Sequence, residues 1–269
     1  SGLFSCGAAQ FPKLFSGCVC ENPPNDFFRC TTFPDCDARP KGVTASLIVI
    51  HAISLPPDRF GGSGVEQLFM NRLYAAEHPY YASIHHLRVS AHFFIRRTGK
   101  VIQFVDPAMR AWHAGVSSWK GRERCNDFSI GIELEGCDTL PFEGVQYRAL
   151  AKLLGELCQH FPVEDVVGHE DVAPGRKTDP GPYFSWGHLR ECLGADGHER
   201  VADMLSRRGA KRDCGDLSDG RSPLQGDPLE GRAPHAYSGS VVLESPVDWG
   251  DEGPRAAGLG ASHGVPEYP

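Results

Sequence analysis

The sequence predicts a mixed α/β fold: a central mixed β-sheet flanked by helices. Three observations predict it. Ser46-Leu47-Ile48-Val49-Ile50-His51 is an unbroken apolar run that ends in histidine. Such a run reads as a strand buried on both faces. Residues 129–136 alternate strictly, with Ile130, Ile132 and Leu134 on one face and Ser129, Gly131, Glu133 and Glu135 on the other. Residues 142–160 read as the strongest helix, with Val145, Ala149, Leu153, Leu154 and Leu157 as one stripe and Pro162 beyond its end. Strands interleaved with helices mean a sheet with helices packed on it.

The other elements follow in order. Residues 64–76 read as a helix with Val65, Leu68, Phe69 and Leu73 inward. Residues 90–97 and 101–105 read as two strands joined by Thr98-Gly99-Lys100, which makes a hairpin. Asp165-Val166-Val167-Gly168 reads as a short strand, and residues 184–193 as a short last helix.

Composition divides the 269 residues into three parts. Residues 1–41 are rich in Pro, Cys and Phe without a period and are expected to be irregular. Residues 42–196 have the size of one ordinary domain. From 197 to 269, Gly, Pro, Ser, Asp and Arg dominate and large apolar residues are sparse. That tail is expected to be disordered, because it lacks the apolar surface to offset its ordering entropy. A net charge of −7 speaks against a nucleic-acid footprint, which would be basic. No run of about 20 apolar residues spans a membrane. The first residues lack the basic start and apolar stretch of a signal peptide. The ten cysteines show no Cys-x-x-Cys pair, which speaks against a structural zinc site. In a cytoplasmic protein, free thiols are the default state.

Chemistry concentrates in Gly168-His169-Glu170-Asp171-Val172-Ala173-Pro174-Gly175-Arg176-Lys177-Thr178-Asp179-Pro180-Gly181-Pro182. His169 falls at a strand exit, with Lys177 and Asp179 on the loop beyond. His51 also falls at a strand end. Two histidines and one aspartate make the three-ligand set of a catalytic zinc, the fourth position being left to water. Taken singly, either histidine reads as a strand-end residue bonded to backbone. Glu133 and Glu135 are both placed to be a general base. The alternation does not choose between them, and Gly131 is expected to leave space beside Glu133.

These segments together resemble the zinc N-acetylmuramoyl-L-alanine amidases. The likeness runs through residues 49–62, Leu87-Arg88-Val89-Ser90-Ala91-His92, Arg110-Ala111-Trp112-His113-Ala114-Gly115-Val116-Ser117, residues 121–136 and the loop from His169 to Pro182. It covers roughly residues 46–189 in order and is nearest to the cytoplasmic 1,6-anhydro-N-acetylmuramyl-L-alanine amidases. The resemblance implies the amidase and peptidoglycan-recognition-protein-like fold. It implies Zn²⁺ held by His51, His169 and Asp179, with Glu133 as the catalytic glutamate and Lys177 as the catalytic lysine. It implies a small muropeptide as substrate, cut between the lactyl group and L-alanine, and a cytoplasmic location. Trp112 and His113 are expected to wall the cleft, and Arg88 and Arg124 to grip the anionic stem peptide. His92 is expected to be packed or hydrogen-bonded. One departure is Ala52, where the cytoplasmic enzymes often have asparagine. Two other functions stay open: an exported or wall-bound amidase acting on intact strands, and a non-catalytic muropeptide-binding module.

Overall fold

The computed structural model describes residues 35–212, with side chains through residue 206. Residues 1–34, with four of the ten cysteines, and residues 213–269 lie outside the described part.

The strands are β1 (Cys36–Ala38), β2 (Leu47–Ile53), β3 (Phe93–Ile95), β4 (Val101–Gln103), β5 (Met109–Ala111), β6 (Ser118–Trp119), β7 (Arg122–Glu123), β8 (Ser129–Glu135) and β9 (Asp165–Gly168). The α-helices are α1 (Gly64–Phe69), α2 (Pro79–Ile84), α3 (Gly144–His160), α4 (His169–Val172), α5 (Trp186–Ala195) and α6 (Glu199–Arg212). The main sheet has five strands in the order β4-β3-β8-β2-β9. The pairs β3–β8, β8–β2 and β2–β9 are parallel, and only β3–β4 is antiparallel. The sheet is therefore mixed, as the sequence predicts. The β3–β4 turn is the expected hairpin, with Ile95 opposite Val101.

Alternation sends the two sets of strand side chains to different neighbours. Ile48, Ile50, Ile130, Ile132, Leu134 and Val166 pack with Leu150, Leu153, Leu154 and Leu157 of α3 and Leu189 and Leu193 of α5. Leu47, Val49 and Val167, on the other face, pack with Ala114, Cys125, Phe128 and Val172.

Four expectations change. Val145 is exposed, and α3 turns Gln146, Tyr147 and Leu150 inward instead. Gln146 is fully buried because its side-chain amide donates to the carbonyls of Ile95 and Glu135, at the ends of β3 and β8. A polar residue can thus lie on the inward stripe when backbone acceptors meet it. Helix α1 stops at Phe69, well short of residue 76, because Asn71 turns left-handed at φ +54°. Its first residue must be glycine: a Cβ at Gly64 would lie 2.8 Å from the Leu55 carbonyl oxygen.

The third and fourth changes move the domain's ends. At the amino side, β1 pairs with β5, and Arg39 donates to the carbonyls of Asn126, Asp127, Pro107 and Ser129. The folded unit therefore includes residues before 42. At the carboxyl side, the expected tail begins with helix α6. Val201, Met204 and Leu205 are buried in the principal core, at the i, i+3, i+4 spacing of one helical face. Three apolar residues in little more than one turn are enough to dock a helix whose other residues are charged or small. His198 packs over Gly155 of α3, where a Cβ would meet its ring at 2.1 Å.

Candidate metal centre and amide-hydrolysis site

His51 lies within β2 and pairs with Glu133 of β8 in the parallel ladder. Both side chains therefore leave the same face of the sheet. β9 ends at Gly168, and His169 opens α4 directly after it. The backbone N–H of Glu170 donates to the Asp179 carbonyl at 2.9 Å, which folds the Lys177–Asp179 loop back over this end of the sheet.

Three side-chain atoms converge. His51 Nδ1 lies 3.0 Å from His169 Nδ1 and 3.1 Å from Asp179 Oδ2, and His169 Nδ1 lies 3.1 Å from the same oxygen. A tetrahedral zinc with bonds of about 2.0–2.1 Å needs its ligand atoms about 3.3 Å apart. The triangle is close to that size, and its donor set of two imidazoles and one carboxylate suits zinc. Hydrogen-bond logic points the same way. His169 Nε2 faces the Ala114 carbonyl at 3.2 Å, an acceptor only, so that nitrogen carries a proton. The neutral ring then presents a lone pair at Nδ1 toward a carboxylate oxygen, another acceptor. A proton or a cation between them resolves this opposition. Among the described residues, these three form the one group of ligating side chains that could hold a metal ion.

The electrostatics follow from burial. Burial pushes His51 down to about 4, helped by His169 and opposed by Asp179, which keeps the ring neutral and able to ligate. Burial alone would raise Asp179. The close approach of His169 and His51 outweighs it and holds the carboxyl well below the usual range. Glu133 is pushed well above the carboxylate range, first by burial and then by the Asp179 charge, with Lys177 opposing. Burial lowers Lys177, with the Asp179 charge opposing.

Glu133 and Glu135 have opposite surroundings. Glu133 is buried, and its Oε2 has no hydrogen-bond partner among the described residues. Glu135 is committed: Oε1 accepts from Gly61 N at 2.5 Å and Arg96 Nη1 at 3.2 Å, and Oε2 from Arg97 N at 3.0 Å. It ties the loop before α1 to the hairpin.

The other expected residues are placed as follows. His113 is only 4% exposed, so it is no cleft wall; its Nδ1 lies 2.9 Å from His51 Nε2. Gly131 makes room for this ring, not for Glu133, since a Cβ there would lie 2.4 Å from His113 Cγ. Trp112 is half-buried, with its indole N–H 3.4 Å from Asp37 Oδ1. Arg124 is exposed and pairs with Asp127 at 3.2 Å. Arg88 is exposed. His92 is fully buried, with Nδ1 accepting from Gly131 N at 2.9 Å. Sequence reasoning missed Asn126, whose Oδ1 accepts from the backbone N–H of His113 and of Ala114. Its only sequence signal is its place in the segment leading into β8.

Comparison with known proteins shows the family. The family described as N-acetylmuramoyl-L-alanine amidase matches residues 41–182. The 1,6-anhydro-N-acetylmuramyl-L-alanine amidase AmpD of Citrobacter freundii is 50% identical over 170 residues, 62% of this chain and 91% of that protein. The AmpD of Escherichia coli (strain K12) is 52% identical over 159 residues, 58% of this chain and 87% of that protein. A crystal structure of a selenomethionine AmpD derivative superposes with a TM-score of 0.58 at 52% identity, covering 60% of this chain and 90% of that one. The family match takes in β2 with His51, β8, the end of β9 and the loop to Pro182, and by it the chain belongs to the N-acetylmuramoyl-L-alanine amidase family.

Proposed function

We propose that this chain hydrolyses the lactyl–L-alanine amide of 1,6-anhydro-N-acetylmuramyl peptides, as a zinc enzyme of peptidoglycan recycling in the cytoplasm. The observation that carries the reading is the His51–His169–Asp179 triangle with the unpartnered carboxylate of Glu133 on the same sheet face. The AmpD relatives, matched over about nine-tenths of their length, supply the substrate class.

His51, His169 and Asp179 would hold the zinc. When bound, that ion supplies Lewis-acid activation of water and of the scissile carbonyl. Glu133, with its proton affinity raised by burial, takes a proton from the attacking water and hands it to the leaving amine of L-alanine. Lys177, partly buried and cationic, faces the negative charge that develops on the carbonyl oxygen. Trp112, Arg88 and Arg124 are proposed contacts for the sugar and the anionic stem peptide.

The test uses the full chain with zinc, offered anhydro-muropeptides and intact peptidoglycan in parallel, with products read by mass spectrometry. Free stem peptide from the small fragments is the expected result. Release from intact strands alone would move the protein to the wall-bound class. Binding without cleavage would make it a recognition module. Fractionating cells tests the cytoplasmic location.

A further inference from the structure

The two metal-facing histidines have their outer nitrogens held by consecutive residues. His113 meets His51 Nε2 through its Nδ1 at 2.9 Å, and the Ala114 carbonyl meets His169 Nε2 at 3.2 Å. This dipeptide is itself fixed. Asn126 Oδ1 accepts from His113 N at 3.1 Å and from Ala114 N at 2.8 Å. Arg176 also donates to the Ala114 carbonyl, at 2.9 Å. Behind His113, Nε2 lies 3.2 Å from Ser129 Oγ, and the bare Cα of Gly131 gives the ring its slot. His51, His113, Ser129 and Ala114 are all buried, so water does not compete for these positions.

We infer that the His113–Ala114 dipeptide, clamped by Asn126, is one orienting element for both metal-facing histidines and makes Asn126 and His113 positioning residues. The inference rests on the zinc reading above. A lone pair at His51 Nδ1 requires the proton to sit on Nε2. His113 Nδ1 must then accept it, and His113 Nε2 must donate to Ser129 Oγ. The Ala114 carbonyl imposes the matching tautomer on His169. One dipeptide thus sets both rings with Nδ1 toward the metal, and Asn126 sets the dipeptide without touching either ring. Partners of this kind typically change metal affinity by about 10–100-fold.

The test measures zinc affinity by chelator competition, on full-length protein whose metal-free fold is checked by circular dichroism. Asn126→Ala and His113→Leu are expected to bind zinc about 10–100-fold more weakly than wild type. Asn126→Asp keeps the accepting oxygen, and His113→Asn keeps an acceptor where Nδ1 stood. Both are expected to stay close to wild type, a rescue that a merely structural role would not give. Unchanged affinity in Asn126→Ala and His113→Leu overturns the inference, as does equal loss in the conservative variants. If the larger changes fail to fold, Ser129→Ala carries the test. It should weaken zinc by about fivefold, the effect of one lost buried hydrogen bond, and no change would overturn the inference. A wild-type chain that takes up no zinc would overturn the underlying metal reading instead.

Discussion

The two faces of the sheet are made by the same strands and contrast in kind. Toward α3, α5 and α6, β2 and β8 present Ile48, Ile50, Ile130, Ile132 and Leu134, all fully buried and all apolar. On the other face the same strands present Leu47, Val49 and His51, and Ser129, Gly131, Glu133 and Glu135. That second face is also buried, yet four histidines, His51, His92, His113 and His169, gather on it with the carboxylates of Glu133 and Glu135. Apolar burial stabilises at about 25 cal/mol per Å². Buried ionisable groups stabilise little unless each is paired. The helical face thus supports the fold, and the polar face spends part of that stability on chemistry. Substitutions on the two faces should fail in different ways.

The largest expected effect is on the polar face. Glu133→Gln should lower the hydrolysis rate by about 10²–10⁴ while zinc content and circular dichroism stay unchanged. Glu135→Gln should do the reverse, keeping most of the rate and lowering the melting temperature, because it weakens the link among Gly61, Arg96 and Arg97. If Glu135→Gln proved the more damaging to rate, the choice of base would be wrong.

On the helical face, Leu154→Ala should cost about 2–5 kcal/mol in urea denaturation and leave kcat intact at a temperature where the variant is folded. A matching collapse in kcat would show that the faces are not separable. Cutting the chain after residue 196 removes the buried Val201, Met204 and Leu205. That should cost about 2 kcal/mol or more. Cutting after residue 212 should cost little, and equal melting temperatures for the two truncations would contradict the docking of α6.

The smallest effect is a pH slope in the metal-free protein. Burial pushes His92 down to about 3 and His51 to about 4, against an unfolded value of about 6.5. As pH falls below about 6.5, the unfolded chain takes up protons that the folded chain refuses, so stability falls. Glu133, shifted upward, opposes this, because its contribution is lost as pH rises. His92→Asn should flatten the slope between about pH 6.5 and 4 by up to about 1.4 kcal/mol per pH unit. Identical slopes in variant and wild type would count against burial as the cause.

The faces also differ in how far they could be read from sequence. Strand parity and the end of β9 were legible, because unbroken apolar runs and strict alternation are local signals; β2 was expected to end at His51 but runs on to Ile53, past the point where the apolar run breaks. His51, His169, Asp179, Glu133 and Lys177 were reached through those signals and the family likeness together. The stripe of α3 was read one position off at Val145, because Gln146 counts as polar until its two backbone acceptors are known. Helix α6 was missed because its apolar residues are few and its neighbours charged. The role of His113 was hidden for a different reason. It depends on Asn126, Ser129 and Gly131, and which of their atoms meet is decided by loop geometry rather than by any periodic pattern.

The register of β2 on β8 carries a consequence for how chain length can vary. His51 stands opposite Glu133 in that ladder, so their separation follows from a strand spacing of about 4.8 Å. One residue added before either of them within its strand would turn it to the helical face. A residue added at the exposed Pro174–Gly175 turn, ahead of Arg176 and Lys177, would leave both strands in register and leave Glu170 N free to meet the Asp179 carbonyl. Insertions at that turn should therefore be tolerated better than insertions in the two strands, where the chemistry depends on an exact count of residues.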